Sequence, residues 1–387
     1  MFLNESVDLA VLKKRAYNLR WASVEDGIIP LTAADPDFPC APEIVEAISS
    51  FTKSRYFSYG PSEGLPSFKE SVATFYQTKR NVPQNPDFVL PVDSAAFGIY
   101  VICKAFLNRE DEAIIFDPVD FLFRYSVENV GGVAVPFAIP PGSIAIDFSR
   151  LESLITPKTK MICLCNPLNP TGKVFTKEEL LLLGNLACKH DLIILSDEIW
   201  SDIIFKPFVF TSIASLSEDI RNRTITVTGF SKSYGLAGLR IGAIMAYHSD
   251  HFSKLFAASL HQSTIHGANI IGQLAATTAL NECGYWLDEF VSHLHKMKEF
   301  VVSEINNIPT FHCIAPEGCY VAFVDITKTQ KSSLEIKEFL SKVGKVEVVP
   351  GLKQWFGDGA EGYIRISFAT SHEILTEAMN RIKKVMM

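Results

Sequence analysis

Short apolar runs recur along the middle of this chain, at Ala113–Phe116, Met161–Cys165, Leu192–Leu195, Thr224–Thr228 and Ile241–Ala246, each bounded by turn-forming residues. Runs of this kind, with little polar alternation, are what strands buried on both faces require. Between them lie stretches of helical length and periodicity, as at Ser94–Leu107, Thr176–His190 and Ile270–Leu280. The second opens on Thr176 with Glu179 three residues on, the pattern of a capping box. Strand–helix alternation predicts an α/β fold, a mostly parallel sheet wrapped by helices, with ligands beyond the carboxyl ends of the strands. The loops expected there hold Asp117-Pro118, Asn166–Gly172, Ser196-Asp197-Glu198 and the turn around Lys232, so polar side chains converge on one edge.

After Asn281 the pattern changes to a long amphipathic stretch, Tyr285–Asn306, then strand candidates at Cys319–Asp325, Val346–Val349 and Gly362–Ser367 and a closing helix. This predicts a smaller α+β domain over 281–387 beside a large domain over 41–280. Residues 1–40 lack a core of their own and are expected to pack on the smaller domain or a partner subunit. A chain of 387 residues with 48% hydrophobic content can bury cores of that size.

A net charge of −7 without a long Lys/Arg cluster argues against nucleic-acid binding. No apolar run reaches membrane-spanning length, and Glu5 and Asp8 replace the basic-then-apolar start of a signal peptide, so a cytoplasmic protein with no membrane partner is expected. The 8 cysteines fall mostly inside apolar runs, as Cys163 and Cys165 do, and read as reduced core thiols. None has the Cys/His spacing of a zinc site, so no metal is expected.

Lys232 lies in Ser231-Lys232-Ser233-Tyr234-Gly235-Leu236-Ala237-Gly238-Leu239-Arg240-Ile241-Gly242. A lysine forms a Schiff base only as the free amine, which a desolvated or cation-flanked pocket favours. Arg240 supplies a cationic neighbour and a forked donor for phosphate. Taken alone, Ser-Lys-Ser reads first as a solvated loop. Asp197 ends an apolar run, so its carboxylate needs a cationic partner such as a protonated pyridine nitrogen; a helix N-cap before Glu198-Ile199-Trp200 is equally open. Asn169 stands between Pro167 and Pro170 with Gly172 beyond, held where its amide can donate to a ring oxygen.

Asn166–Gly172, Ser196–Ile199 and Ser231–Gly242 together resemble the aminotransferase class I/II family, pyridoxal-5'-phosphate enzymes of fold type I, and the likeness runs from Pro30 to the final helix. The resemblance implies that Lys232 carries the cofactor as a Schiff base and serves as general acid/base. It implies that Asp197 binds the pyridine nitrogen, Asn169 the 3'-oxygen and Arg240 the phosphate, with Ile199 on one ring face and Trp200 and Ser231 beside the cofactor. The helix start at Ser94, Ala95 and Ala96 would add backbone N–H donors to the phosphate. Tyr59, in Tyr59–Leu65, would reach the phosphate of a neighbouring subunit, implying a homodimer; by itself it reads as a half-buried tyrosine beside a turn. Arg365, on an alternating strand, would grip the substrate carboxylate, with Asn169, Ala34 and Tyr320 also on the substrate side.

The chain departs from the family in places. Trp200 stands where tyrosine is usual, and Ala96 and Gly229 replace hydroxyl residues of the phosphate site. Asp120 aligns with the aromatic that stacks on the ring, leaving Phe121 or Phe123 to serve if the loop is shifted. No second arginine is placed for a side-chain carboxylate, and Trp200, Tyr320 and Trp355 add aromatic surface, so a neutral or aromatic amino acid is expected.

The resemblance implies transfer of an amino group between an amino acid and a 2-oxo acid. Ile29–Phe38 is similar both to aminotransferases and to the cystathionine beta-lyase branch, so beta-elimination is the alternative, and a non-catalytic regulatory homologue a further one. Tyr234–Gly242, with Arg240 kept, is closer to the aminotransferase form. A nicotinamide dehydrogenase is disfavoured because no Gly-x-Gly-x-x-Gly follows an early strand.

Overall fold

A computed structural model describes residues 1–140 and 146–387. In chain order the strands are β1 (Ile29–Pro30), β2 (Val89–Val92), β3 (Glu112–Asp117), β4 (Val133–Ala138), β5 (Thr159–Cys165), β6 (Ile193–Asp197), β7 (Thr224–Gly229) and β8 (Gly242–Met245). The rest are β9 (His312–Cys313), β10 (Val321–Asp325), β11 (Val346–Glu347), β12 (Val349–Pro350) and β13 (Tyr363–Ser367).

The central sheet has the order β2-β8-β7-β6-β5-β3-β4. Strands β4, β3, β5, β6 and β7 are mutually parallel, and β8 runs antiparallel to both β7 and β2. The apolar runs became these inner strands, which are buried almost throughout. The two strands without a clear sequence signal are the sheet edges. β2 carries Pro91, tolerated in a sheet only at an edge or bulge, and β4 begins on the exposed Val133.

Helices Ala95–Phe106, Leu122–Asn129 and Lys177–His190 connect the strands, the last with its Thr176/Glu179 capping box formed. Because β3, β5, β6 and β7 point the same way, Asp117, Cys165, Asp197 and Gly229 all finish on one edge.

The second sheet is antiparallel, in the order β12-β13-β10-β9. The helix Gly284–Asn306 lays Trp286, Phe290, Leu294, Met297, Val301 and Ile305 along one buried stripe, the three-to-four spacing of an amphipathic helix. The expected strand Val346–Val349 is split at Val348, because β11 pairs with β1 whereas β12 pairs with β13. The expected strand Cys319–Asp325 starts only at Val321, since Cys319 takes a left-handed backbone with φ 65°.

The N-terminal segment is stitched to the C-terminal part. Ile29 N–H donates to Lys345 O (3.0 Å) and Leu31 N–H to Glu347 O (2.8 Å), while Leu31 O accepts from Ser367 N–H (2.9 Å). Asp37 N–H donates to Ala369 O (3.0 Å). Phe2 packs edge-on against Phe38 and Trp286, and Arg20 pairs with the buried Asp37, which also accepts from the Trp21 indole N–H at 2.8 Å. This strip brings Ala33 and Ala34 to the edge where the central strands end.

Candidate active site

A cleft of ≈ 430 Å³ opens at that edge, walled by the ends of β5, β6 and β7 on one side and by Arg365 of β13 with Trp355 and Phe356 on the other. Its first end is made of backbone. Ser94 caps the helix Ala95–Phe106, its hydroxyl accepting from Phe97 N–H at 3.1 Å. The N–H groups of Ala95 and Ala96, in the first turn, have no acceptor within the helix and line the cleft. Gly242 is required beside them: a Cβ there would stand 2.8 Å from Ala95 N and 2.7 Å from Thr228 O. Ala96 and Gly229 bring no side-chain donor. Arg240 and Ser231 line the same end, with Arg240 exposed. Phosphate suits this arrangement of helix N-terminus and arginine.

In the middle, Asp197 closes β6 and is 5% exposed. One carboxylate oxygen accepts from Ile199 N–H at 3.0 Å, but the residues that follow form a turn, so the N-cap alternative fails. Burial pushes its pKa up to about 7, and no ion pair with it forms among the described residues. A buried carboxylate aimed into a cleft without a cation matches a protonated ring nitrogen. Ile199 and Trp200 line the cleft beside it.

Lys232 lies in the turn after β7. Its Nζ donates to Ala34 O at 2.6 Å and sits 5.3 Å from the Trp200 ring centre. Burial lowers its pKa while the nearby Asp35 carboxylate opposes that shift; the net direction favours the free amine. The turn is pinned next door, where Ser233 Oγ donates to Asp202 (2.7 Å), itself paired with Arg80.

The far end is made of side chains. Arg365, 7% exposed, donates through one Nη to Asn169 Oδ1 (3.0 Å) and through the other to Thr32 O (3.4 Å), and its buried Nε has no partner among the described residues. Asn169 Nδ2 donates to Asp120 Oδ2 at 2.9 Å. Phe121 reaches the cleft, edge-on to Trp355 at 5.5 Å, whereas Phe123 is buried in the core away from it.

Thus Ser94, Ala95, Ala96, Asn169, Asp197, Ile199, Trp200, Ser231, Lys232, Arg240, Arg365 and Ala34 are brought together. Two expected residues are not. Tyr320 does not line the cleft; it is fully buried behind Trp200, rings edge-on at 4.7 Å, and donates to Ala34 O at 3.1 Å. Tyr59 lies outside its own chain's cleft and is 90% exposed, so it is no core tyrosine. Asn18, Leu19 and Phe356 line the cleft without having been foreseen. Asn18 and Leu19 sit in irregular backbone, Leu19 with φ 54°, where no periodicity marks them.

The cleft therefore offers an anion seat, a buried unpaired carboxylate, a half-buried amine and an arginine with a free N–H. These fit a flat cationic ring bearing phosphate, together with a second molecule bearing a carboxylate.

The family model of aminotransferase class I and II matches residues 26–382. An aspartate aminotransferase of Bacillus subtilis strain 168 is 31% identical over 99% of this chain and 96% of its own. The cystathionine beta-lyase PatB of the same organism is 30% identical over 92% of both chains. A PLP-bound putative aminotransferase from Clostridium difficile 630 superposes with a TM-score of 0.91, covering 100% of this chain and 99% of that one at 28% identity.

Proposed function

Because the chain belongs to the aminotransferase class I and II family, whose cofactor is pyridoxal 5'-phosphate, we propose that its cleft moves an amino group between an amino acid and a 2-oxo acid. Asp197 carries this assignment: a buried carboxylate with no ion pair among the described residues, sharing one cleft with the Lys232 amine and Arg365. When bound, the pyridoxal ring supplies an electron sink for the bond broken at the substrate's alpha carbon.

The protein's own groups do the rest. Lys232 anchors the cofactor and, once freed, its amine takes the alpha proton and returns it as general base and acid. Asp197 keeps the ring nitrogen protonated, and Ile199 bounds one face of the ring. Arg240, Ser231 and the N–H groups of Ala95 and Ala96 hold the phosphate. Arg365 takes the substrate carboxylate, and its Asn169 contact holds the guanidinium in place. Ala34 acts through its carbonyl, the acceptor for the resting lysine.

Among the described residues the arginines lining the cleft are Arg240 and Arg365, and Trp200, Trp355 and Phe356 add aromatic surface to it, which favours a neutral or aromatic amino acid. The exposed Tyr56, Phe57 and Tyr59 support a homodimer in which Tyr59 serves the neighbouring phosphate. The separate sheets support a large domain over 41–280 and a smaller one over 281–387 carrying residues 1–40. All eight cysteines are free, in keeping with a cytoplasmic setting.

Purified enzyme given an amino-acid panel with a 2-oxo acid is expected to exchange amino groups, with Lys232→Ala as the blank. Stoichiometric pyruvate and ammonia from cystathionine, without exchange, would replace transfer by beta-elimination, the chemistry named for PatB.

A further inference from the structure

The loop after β3 brings both Asp120 and Phe121 to the cleft. Asp120 lines the cleft itself, and its backbone N–H donates to Asn169 O at 3.2 Å. Its carboxylate accepts from Asn169 Nδ2 at 2.9 Å and from Leu122 N–H at 3.3 Å. With the Arg365 contact to Asn169 Oδ1 at 3.0 Å, a continuous chain of donors runs from Arg365 through Asn169 to Asp120.

This chain allows one orientation of the Asn169 amide. Reversing it would set the amide oxygen against a carboxylate and the NH₂ against a guanidinium. The second Nδ2 hydrogen is then left for a ring oxygen. Asp120 is half-buried, which raises its pKa, and no ion pair neutralises it among the described residues; its hydrogen-bonded link to the Arg365 guanidinium runs through the amide. The titratable groups around Lys232 are Asp35 from the N-terminal strip, Asp120, Asp197, Cys319, Tyr320 and Arg365, so Asp120 is one of the carboxylates acting on that nitrogen.

We propose that Asp120 is a positioning residue, which orients Asn169 toward the cofactor's ring oxygen and holds a proton on the nitrogen joining Lys232 to the cofactor. It stands where the resemblance expects a stacking ring, with Phe121 beside it in the cleft. This rests on residence of pyridoxal phosphate on Lys232.

The test is a visible-absorbance pH titration of the holoenzyme, read beside cofactor affinity of the reconstituted apoenzyme. A negative neighbour raises the midpoint of a cationic acid, so its removal lowers it. Asp120→Asn is expected to bring the midpoint down by roughly one pH unit. Asp120→Glu, which keeps the charge, should restore at least half of that fall. Asp120→Tyr should lower the midpoint as Asp120→Asn does while tightening cofactor binding about three- to tenfold through ring stacking. Circular dichroism screens the variants for folding. Midpoints of Asp120→Asn and Asp120→Tyr unmoved from the wild type would overturn the proposal. Borohydride trapping of the same samples separates the two failures. A label on Lys232 with an unmoved midpoint removes only the role of Asp120, and a wild-type label absent from Lys232 removes the reading beneath it.

Discussion

The two ends of the cleft are built from different material. The end proposed for phosphate is backbone, a helix start backed by Gly242 with one exposed arginine, whereas the end proposed for the substrate carboxylate is a chain of side chains, the buried Arg365 and Asn169 and the half-buried Asp120. Backbone donors do not depend on residue identity, so Ala96 and Gly229 can stand at the first end without dismantling it. At the second end each group orients the next, and a single change propagates.

The largest effect is expected between the two ends. Lys232→Ala should cut amino-group exchange by at least about 10³-fold while the coenzyme still binds noncovalently, checked by steady-state rates and equilibrium dialysis.

Asp197 follows. Its folded pKa of about 7 lies above the ordinary 3.8, so below 3.8 both states hold the proton and the group contributes nothing. As pH rises from there to about 7 the unfolded chain ionises first, and the native apoenzyme loses stability through that window. Asp197→Asn should therefore stabilise the apoenzyme at pH 8 by up to about 4 kcal/mol, measured by urea unfolding, while abolishing most turnover. A less stable apo variant at pH 8 would contradict an uncompensated charge there.

Arg365→Ala should lower kcat/KM by about 100-fold, mostly through KM, with a smaller fall in kcat from the released Asn169. Arg240→Ala should weaken coenzyme binding by only about tenfold, more at low salt, because its charge is exposed and screened. Equal losses at Arg240 and Arg365 would erase the contrast between the ends.

Much of the sheet was legible because its inner strands are continuous apolar runs, and Lys232, Asp197 and Asn169 were legible because strand-end loops gather ligands. The edge strands were hidden by Pro91 and by the solvent face of β4. Leu19 and Asp35 reach the cleft region through pairings far along the chain, which no local pattern records. Tyr320 was misplaced for the same reason: a strand-end aromatic can face a cleft or back the residue that does, and the Trp200 indole took the front.

Ala34 O receives both the Lys232 amine and the Tyr320 hydroxyl, and the strip that bears it is sewn by Leu31 and Asp37 to the stretch around Arg365. In the proposed chemistry Lys232 leaves this carbonyl, and the phenol would still tether it. The seat of the Lys232 amine and the stretch that carries Arg365 thus belong to one mechanical piece, so a tilt of either is felt by both.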